Sequence, residues 1–248
     1  MKFALESVSY KYHPTASFCL SDINLTVESG RVTGLAGANG SGKTTLIRIL
    51  LRQLVDYQGN YYIDGETVHD IAANLCAKYG IGYSPDIPVL DDVLTGYEIL
   101  GIVGQIRGLT RQEAEDQITL LSSLLDLGPW LRVQQCGEYS HGMRKKVSIA
   151  LAYLGPVRFV ILDEPLNGLD PVAVMAVRTL IEQKRGDKVG TLVSSHILDF
   201  IEQCADFCIL MKQGTLIYGG GLRQLRTLHG NKRLDEIYLS LFRAEQKR

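Results

Sequence analysis

Apolar and polar side chains alternate in several short stretches over the first third of the chain. In residues 8–12 and 23–27 every second side chain is apolar or aromatic, which is the period of a half-buried β-strand. Residues 32–36 do not alternate in this way and are predicted to form a fully buried strand. Residues 61–63 form another predicted strand, and Asp64-Gly65 directly after them is a strong hairpin signal. This region is therefore predicted to be rich in strands.

The middle of the chain changes from the strand period to the helical period. Thr95 and Thr110 are each followed three residues later by a glutamate, which is the capping-box pattern of a helix N-terminus. Behind Thr110 the apolar side chains recur at a spacing of three or four residues, as in a helix that buries one face. These positions are Ala114, Ile118, Leu121, Leu124 and Leu125. We therefore predict a helical insert at about residues 88–135.

Strands and helices alternate again after the insert. Residues 159–162 and 191–194 are predicted strands, and Asp170-Pro171 is typical of an N-cap followed by proline in the first helical turn. Gln213-Gly214 lies between two short apolar stretches and predicts a closing hairpin. Alternation of this kind favours an α/β fold, in which helices cover both faces of a mainly parallel sheet.

The chain is expected to form a single domain with three parts. The core is predicted at about residues 1–87 and 136–225, on either side of the helical insert. Residues 226–248 are predicted to form a C-terminal helical tail.

Composition places the chain among ordinary globular proteins. Hydrophobic residues make up 46% and charged residues 21%, and the net charge of −1 argues against a broad basic surface for nucleic acid. No apolar run approaches the roughly 20 residues that a membrane-spanning helix needs, and the first residues do not resemble a secretory signal. The five cysteines are scattered and are expected to be unpaired thiols in a reducing compartment. We therefore expect a soluble, cytoplasmic chain.

A glycine-rich loop, G-x-x-x-x-G-K-T, follows the predicted strand at residues 32–36. Glycines allow successive backbone N–H groups to point at phosphate oxygens, and the N-terminus of the next helix, predicted at about residues 43–54, adds partial positive charge. Lys43 is expected to reach the β- and γ-phosphates, and the hydroxyl of Thr44 is expected to bind Mg²⁺. The predicted nucleotide contacts in the loop are Asn39, Gly40, Ser41, Gly42, Lys43, Thr44 and Thr45.

The predicted strand at residues 159–162 ends in two carboxylates, Asp163 and Glu164. Open α/β sheets bind ligands beyond the carboxyl ends of their strands, which places both acids near the phosphate loop. Asp163 is predicted to bind Mg²⁺, and Glu164 is predicted to polarise the water that attacks the γ-phosphate. An acid pair at a strand end can also serve as a cap or a salt bridge; the phosphate loop is what favours the catalytic role here.

Four further motifs distinguish the chain from other nucleotide triphosphatases. Residues 139–146, which begin Y-S-H-G-M, resemble the L-S-G-G-Q signature of the ATP-binding-cassette (ABC) family, and residues 167–170 resemble its D-loop. His196 resembles the switch histidine of that family, and Tyr12 stands where the family has an aromatic residue against adenine. Over about residues 3–220 the chain thus resembles the ATP-binding subunits of ABC transporters.

The resemblance implies a P-loop NTPase core with an N-terminal antiparallel β subdomain and the helical insert. It also implies that two cassettes pair head to tail around two ATP molecules with Mg²⁺, so that Ser140 and Gly142 contact the γ-phosphate bound by the second cassette. His196 would contact that phosphate and Glu164, and together with Lys43 these residues would form the catalytic set. Tyr12 would stack on adenine, with Tyr10 as the competing candidate.

The chain departs from the family pattern in two motifs. In the signature, His141 stands at the first glycine position and Met143 at the glutamine position. In residues 82–86, which resemble the Q-loop, Asp86 stands where the family has the glutamine that touches Mg²⁺ and the attacking water. A carboxylate can bind Mg²⁺ but repels the γ-phosphate when the metal is absent, so Asp86 is predicted to be a metal ligand.

These features predict the ATP-hydrolysing subunit of an ABC transporter, bound to the inner face of the cell membrane through a separate permease. Asn167-Gly168 and the S-H-G-M signature resemble cassettes of exporters, and residues 86–100 are the predicted docking surface for the permease. Two other functions fit the sequence. A non-transport ABC ATPase, for example of the iron–sulfur assembly type, has the same motifs, and Asp86 is compatible with an inactive ATP-binding regulator.

Overall fold

The computed structural model describes residues 1–15, 17–68 and 72–245. Its strands are β1 (Lys2–Tyr10), β2 (Leu20–Glu28), β3 (Val32–Gly37), β4 (Gln58–Ile63), β5 (Glu66–Thr67), β6 (Ile81–Ser84), β7 (Phe159–Leu162), β8 (Gly190–Ser195), β9 (Phe207–Lys212) and β10 (Thr215–Gly221). Its α-helices are α1 (Lys43–Leu50), α2 (Ala72–Tyr79), α3 (Gly96–Ile106), α4 (Arg111–Leu125), α5 (Trp130–Val133), α6 (His141–Tyr153), α7 (Pro171–Gly186), α8 (Leu198–Cys204), α9 (Leu222–Leu228) and α10 (Leu234–Glu245).

The strands form two sheets, and the α/β fold class is confirmed. Strands β2, β1, β4 and β5 form an antiparallel sheet in that order, and the alternation expected along β1 and β2 places Leu5 opposite Leu25 in its core. The larger sheet has the order β10-β9-β3-β8-β7-β6. Its pairs are parallel except for the closing hairpin of β9 and β10.

The parallel strands bring three loops to one edge of the larger sheet. Strands β3, β7 and β8 are buried along their whole length, as expected for strands covered on both faces. Their register pairs Ala36 with Ser195 and Leu162 with Val193, so all three strands end at the same edge. The glycine-rich loop, the two acids and His196 follow directly after these strand ends.

Helices α3 to α5 lie between β6 and α6 in the region of the predicted insert. Both capping boxes are confirmed: Thr95 N donates to Oε2 of Glu98 at 2.8 Å, and Thr110 N donates to Oε2 of Glu113 at 2.8 Å. The apolar face of α4 packs into the core shared with α6 and β7, which ties the insert to the catalytic part of the chain. None of the helices in the described residues is long and apolar enough to cross a membrane.

Two local expectations differ from the structure. Helix α1 ends at Leu50 instead of about residue 54, because Arg52 adopts a left-handed backbone conformation with φ of 56° that no helix can continue through. Helix α2 was not predicted, since residues 72–79 have neither a capping signal nor a clear apolar period. All five cysteines are free thiols, as expected.

Candidate functional site

The glycine-rich loop between β3 and α1 lines an open pocket. Gly40 and Gly42 have φ of 78° and 102°, a conformation that a side chain would strain. Nζ of Lys43 is buried under the loop and donates to the carbonyl of Gly37 at 2.8 Å. The hydroxyl of Ser41 is buried without a hydrogen-bond partner in the described part of the chain. An unpartnered polar atom is costly in a protein interior, so it fits a ligand that supplies acceptor oxygens, as phosphate does.

A single pocket brings the loop together with two of the predicted carboxylates. Its lining residues are Cys19, Asn39, Gly40, Ser41, Gly42, Lys43, Thr44, Thr45, Asp86 and Glu164. The pocket thus gathers donors for phosphate and anionic oxygens. Asp163 lies behind it, buried at the end of β7.

Asp163 is held by two hydroxyl groups. Ser194 on β8 donates to Oδ1 of Asp163 at 2.5 Å, and the hydroxyl of Thr44 forms a second side-chain hydrogen bond with the same carboxyl group. Burial raises the pKa of Asp163 above its ordinary value, and these two hydrogen bonds oppose the shift. A carboxylate and a hydroxyl in contact are the oxygen ligands that Mg²⁺ prefers in proteins.

No group of three or more His, Cys, Asp or Glu side chains in the described residues is arranged to hold a metal ion. A magnesium site beside phosphate needs only one or two carboxylates, because phosphate oxygens and water supply the other ligands. Thr44, Asp163 and the pocket-lining Asp86 therefore fit Mg²⁺ in this role.

Glu164 contacts both other members of the predicted catalytic set. Its Oε1 lies 3.3 Å from Nζ of Lys43, and its Oε2 lies 2.9 Å from Nδ1 of His196. Glu164 has a φ of 44°, a strained conformation for a residue with a long side chain, and its N–H donates to Ser194 at 2.9 Å. The carboxylates of the adjacent residues Asp163 and Glu164 therefore have different side-chain partners.

The two tyrosines proposed to stack on adenine differ in exposure. Tyr12 is 54% exposed, and its hydroxyl lies 3.0 Å from the hydroxyl of Thr45, which lines the pocket. Tyr10 is only 8% exposed and meets the ring of Tyr12 edge-on, with ring centroids 5.1 Å apart. A buried ring offers no open face to a base, so the geometry favours Tyr12.

Asp86 lines the pocket but also has partners within the protein. Its Oδ1 accepts a 2.9 Å hydrogen bond from Nδ2 of Asn167 and lies 3.8 Å from Nζ of Lys145. Asn167 belongs to the loop that resembles the D-loop, and Lys145 lies on α6. Asp86 therefore connects three motifs that the sequence shows as separate.

The signature-like residues lie at the N-terminus of α6. The Ser140 hydroxyl caps this helix by accepting from the N–H of Met143 at 3.2 Å. A Cβ at Gly142 would lie 3.0 Å from the carbonyl of Gly168, and one at Gly168 would lie 2.2 Å from the ring of His141. Within one chain, Ser140 and Gly142 are outside the lining of the phosphate pocket, and Gly142 packs against the D-loop-like segment instead.

Comparison with known proteins agrees with this arrangement. The family model described as ABC transporter matches residues 20–167, which is more than half of the chain. The chain belongs to the ABC transporter ATP-binding family. It binds ATP and is an ATPase, as the cassettes of this family are.

Three relatives of this ABC family member cover most of its length. It is 32% identical to the ABC transporter ATP-binding protein NatA of Bacillus subtilis over 88% of both chains. It is 32% identical to the lipopolysaccharide export system ATP-binding protein LptB of Escherichia coli, over 81% of this chain and 83% of LptB. A solved ATP-binding subunit of an ABC transporter has a TM-score of 0.85 and 30% identity, covering 98% of this chain and all of that one.

Sequence reasoning missed three residues that hold the site of this ABC cassette together. Ser194 bonds Asp163 and the peptide of Glu164, and Lys145 contacts Asp86. The third is Tyr238 on α10, whose hydroxyl accepts a 3.2 Å hydrogen bond from the N–H of Ala38 in the phosphate loop. Tyr238 is 200 residues from Ala38, and no local pattern in the sequence predicts such a contact.

Proposed function

We propose that the chain is the motor subunit of an exporter, which hydrolyses ATP and drives a separate membrane permease from the inner face of the cell membrane. The observation that carries this proposal is the contact of Glu164 with both Lys43 and His196 beside the phosphate loop. A base held between the phosphate-binding lysine and a histidine suits water attack on a bound triphosphate. LptB is named as part of an export system, which supports the direction of transport.

The side chains divide the hydrolytic step between binding and proton transfer. The loop N–H groups and Lys43 hold the phosphates, while Thr44, Asp163 and Asp86 would hold Mg²⁺, which would supply positive charge to offset that of the phosphate oxygens. Glu164 accepts a proton as the water oxygen bonds to the γ-phosphorus, and the bond to the β-phosphate breaks to leave ADP and inorganic phosphate. Lys43 moves from Glu164 to the phosphates as ATP binds, and this frees the carboxylate to orient the water.

His196 and Tyr12 complete the contacts of the bound nucleotide. His196 keeps Glu164 in place through the contact at 2.9 Å and reaches the γ-phosphate from the end of β8. Tyr12 stacks on the adenine ring at the mouth of the pocket, a contact worth about 1–3 kcal/mol on the scale measured for bases and aromatic side chains.

A second copy of the cassette completes each site. Ser140 is exposed at the N-terminus of α6, where backbone N–H groups favour an anion, yet it does not line the phosphate pocket of its own chain. Val172 and Met175, on the first turns of α7 after the D-loop-like segment, are strongly exposed apolar residues. Both features fit a head-to-tail pair in which Ser140 and Gly142 contact the γ-phosphate bound by the other cassette.

Sedimentation of Glu164→Gln tests this pairing. The variant should sediment as a dimer with Mg²⁺ and ATP and as a monomer without nucleotide, because binding is retained while hydrolysis is blocked. When Ser140→Arg is added, the Glu164→Gln protein should stay monomeric in the presence of ATP. When Thr67→Arg is added instead, at an exposed residue of β5, the protein should still form the dimer. A Glu164→Gln protein that stays monomeric at saturating ATP would contradict the pairing.

The permease is proposed to dock on the segment after β6. Ile87, Val89 and Val93 are 74%, 89% and 69% exposed, an unusual run of apolar side chains in solvent. They lie between the pocket-lining Asp86 and the first helix of the insert, so a partner bound there would sense the nucleotide site. Asp92 forms a 2.9 Å ion pair with Arg144 and is better suited to hold the segment than to bind a partner.

Replacement of one exposed apolar side chain separates docking from hydrolysis. Val89→Asp should abolish co-purification with the permease and leave ATP turnover of the isolated cassette within about twofold, because the side chain makes few internal contacts. Leu228→Asp, a change at a residue 71% exposed on α9, is the matched control and should keep the permease. If the Val89→Asp variant still co-purifies with the permease in undiminished amount, the docking proposal is wrong. The ATPase assignment is not affected by that result.

A further inference from the structure

Lys145 has no solvent exposure. It lies near the start of α6, which we call the signature helix because the signature-like residues stand at its N-terminus. Its Nζ donates to the carbonyls of Pro85 and Asp86 at 3.1 and 2.5 Å and lies 3.8 Å from Oδ1 of Asp86. Lysine is almost never fully buried unless it is paired. Both carbonyls and the Asp86 carboxylate belong to the short segment that leads from β6 into the nucleotide pocket.

The position of Asp86 explains why a cation is needed there. Its side chain is 46% exposed toward the pocket, close enough to interact with the carboxylate of Asp163. Three acids therefore converge on the place where the phosphates bind, since Glu164 lines the same pocket. Like charges at such spacing destabilise one another unless a cation lies among them.

Asn167 contacts the same oxygen of the Asp86 carboxylate that lies near Lys145. Its Nδ2 donates to Oδ1 at 2.9 Å from the loop after β7. The carboxylate is thus held between an amide and a buried ammonium group, which leaves it little freedom to choose another orientation.

We propose that Lys145 is a positioning residue that compensates the charge of Asp86 and orients it toward the metal and the attacking water. With Lys145 in place, a carboxylate can stand at a position where the family has a neutral glutamine. Lys145 also ties the segment at residues 85–86 to α6 by two backbone contacts, so the pair couples the pocket to the signature helix.

A double-mutant cycle in the nucleotide-free protein tests this pairing without relying on activity. Asp86→Gln should lower the melting temperature by about 5 °C, because it leaves a buried cation without its counter-charge. Lys145→Gln should lower it by a similar amount, and the double variant should recover at least half of the loss. Lys146→Gln is the control, since Lys146 contacts the carbonyl and the exposed carboxylate of Asp126, and it should shift the melting temperature by less than about 2 °C.

A kinetic rescue separates positioning from simple stabilisation. Lys145→Gln should lower kcat for ATP about tenfold and leave KM within about twofold, because the phosphate loop is unchanged while Asp86 is misplaced. The added Asp86→Gln change should restore most of kcat.

Asp86→Asn serves if Lys145→Gln does not fold, because asparagine keeps the acceptor for Asn167 and removes only the charge. If Asp86→Gln or Asp86→Asn melts at the same temperature as the unchanged protein, the pairing is wrong. Strictly additive losses of melting temperature in the double-mutant cycle would also overturn it. Neither result bears on transport, since both measurements use the isolated cassette.

Discussion

The hydroxyl of Ser194 donates a 2.5 Å hydrogen bond to Oδ1 of Asp163 where β7 and β8 end side by side. The hydroxyl oxygen of Ser194 also accepts from the N–H of Glu164 at 2.9 Å. One buried hydroxyl thus contacts both the carboxylate proposed to bind Mg²⁺ and the backbone of Glu164, whose carboxylate is proposed to be catalytic.

Removal of this hydroxyl should slow hydrolysis. Ser194→Ala is expected to lower kcat by about tenfold to a hundredfold, since a hydrogen bond to a charged group contributes about 1.5–3 kcal/mol. Steady-state ATPase assays over a range of Mg²⁺ concentrations check it, and half-maximal activity should require more Mg²⁺. Ser195→Ala is the matched control, because the hydroxyl of Ser195 accepts from the N–H of Ile197 instead. Equal losses in the two variants would count against a specific role of Ser194.

Glu164→Gln should separate ATP binding from hydrolysis. Glutamine keeps the shape of the side chain but cannot accept the proton, so turnover should fall by about 10²–10⁴-fold. Affinity for ATP, measured by isothermal titration calorimetry, should stay within a few fold. Glu182→Gln, at an exposed acid paired with Arg178, should be as active as the unchanged protein. Substantial turnover in Glu164→Gln would show that another group accepts the proton.

Asp163→Asn should raise the melting temperature and lower the rate of ATP hydrolysis. Burial raises the pKa of Asp163, which means that the folded protein disfavours the ionised form present at neutral pH. Asparagine removes that cost and can still accept from Ser194, so the melting temperature of the nucleotide-free protein should rise by about 2–4 °C. Hydrolysis should fall at least about a hundredfold because the proposed metal ligand is lost. Asp187→Asn, at an exposed acid, should change neither quantity, and a lower melting temperature for Asp163→Asn would contradict the account.

Tyr238→Phe should loosen the phosphate loop from the C-terminal helix. The hydroxyl accepts from Ala38 N and donates to the carbonyl of Met211 at 3.3 Å, while Leu234 and Ile237 anchor α10 in the core. Loss of one neutral hydrogen bond of about 1 kcal/mol predicts a weakening of ATP binding by about threefold to tenfold. In Tyr218→Phe the lost hydroxyl contacts Gly221 instead, and ATP binding should not change. If both variants bind ATP equally well, α10 does not support the loop.

Local patterns in the sequence were sufficient to predict most of the elements. The alternation in β1 and β2, the capping boxes at Thr95 and Thr110 and the N-cap at Asp170 are all local signals, and each has the expected structure. The phosphate loop was predictable for the same reason, because its glycines, lysine and threonine are consecutive.

Contacts between distant segments were not predictable in this way. Ser194 is 31 residues from Asp163, and Lys145 is 59 residues from Asp86. Buried serines and lysines have no periodic pattern that marks their partners, so only the register of the parallel strands and the packing of α6 reveal them. The place of Asp86 between Asn167 and Lys145 is an example, since the sequence indicated only an acid facing a metal.

Purification of the Glu164→Gln variant from membranes tests the central claim most directly. The tagged protein would be extracted with a mild detergent in the presence of Mg²⁺ and ATP, and its partners would be identified by mass spectrometry. The account predicts a polytopic membrane protein in near-equal amount, lost when Val89→Asp is added and kept when Leu228→Asp is added. A soluble partner, or no association with the membrane fraction, would contradict the transporter role and leave an ATPase of another function.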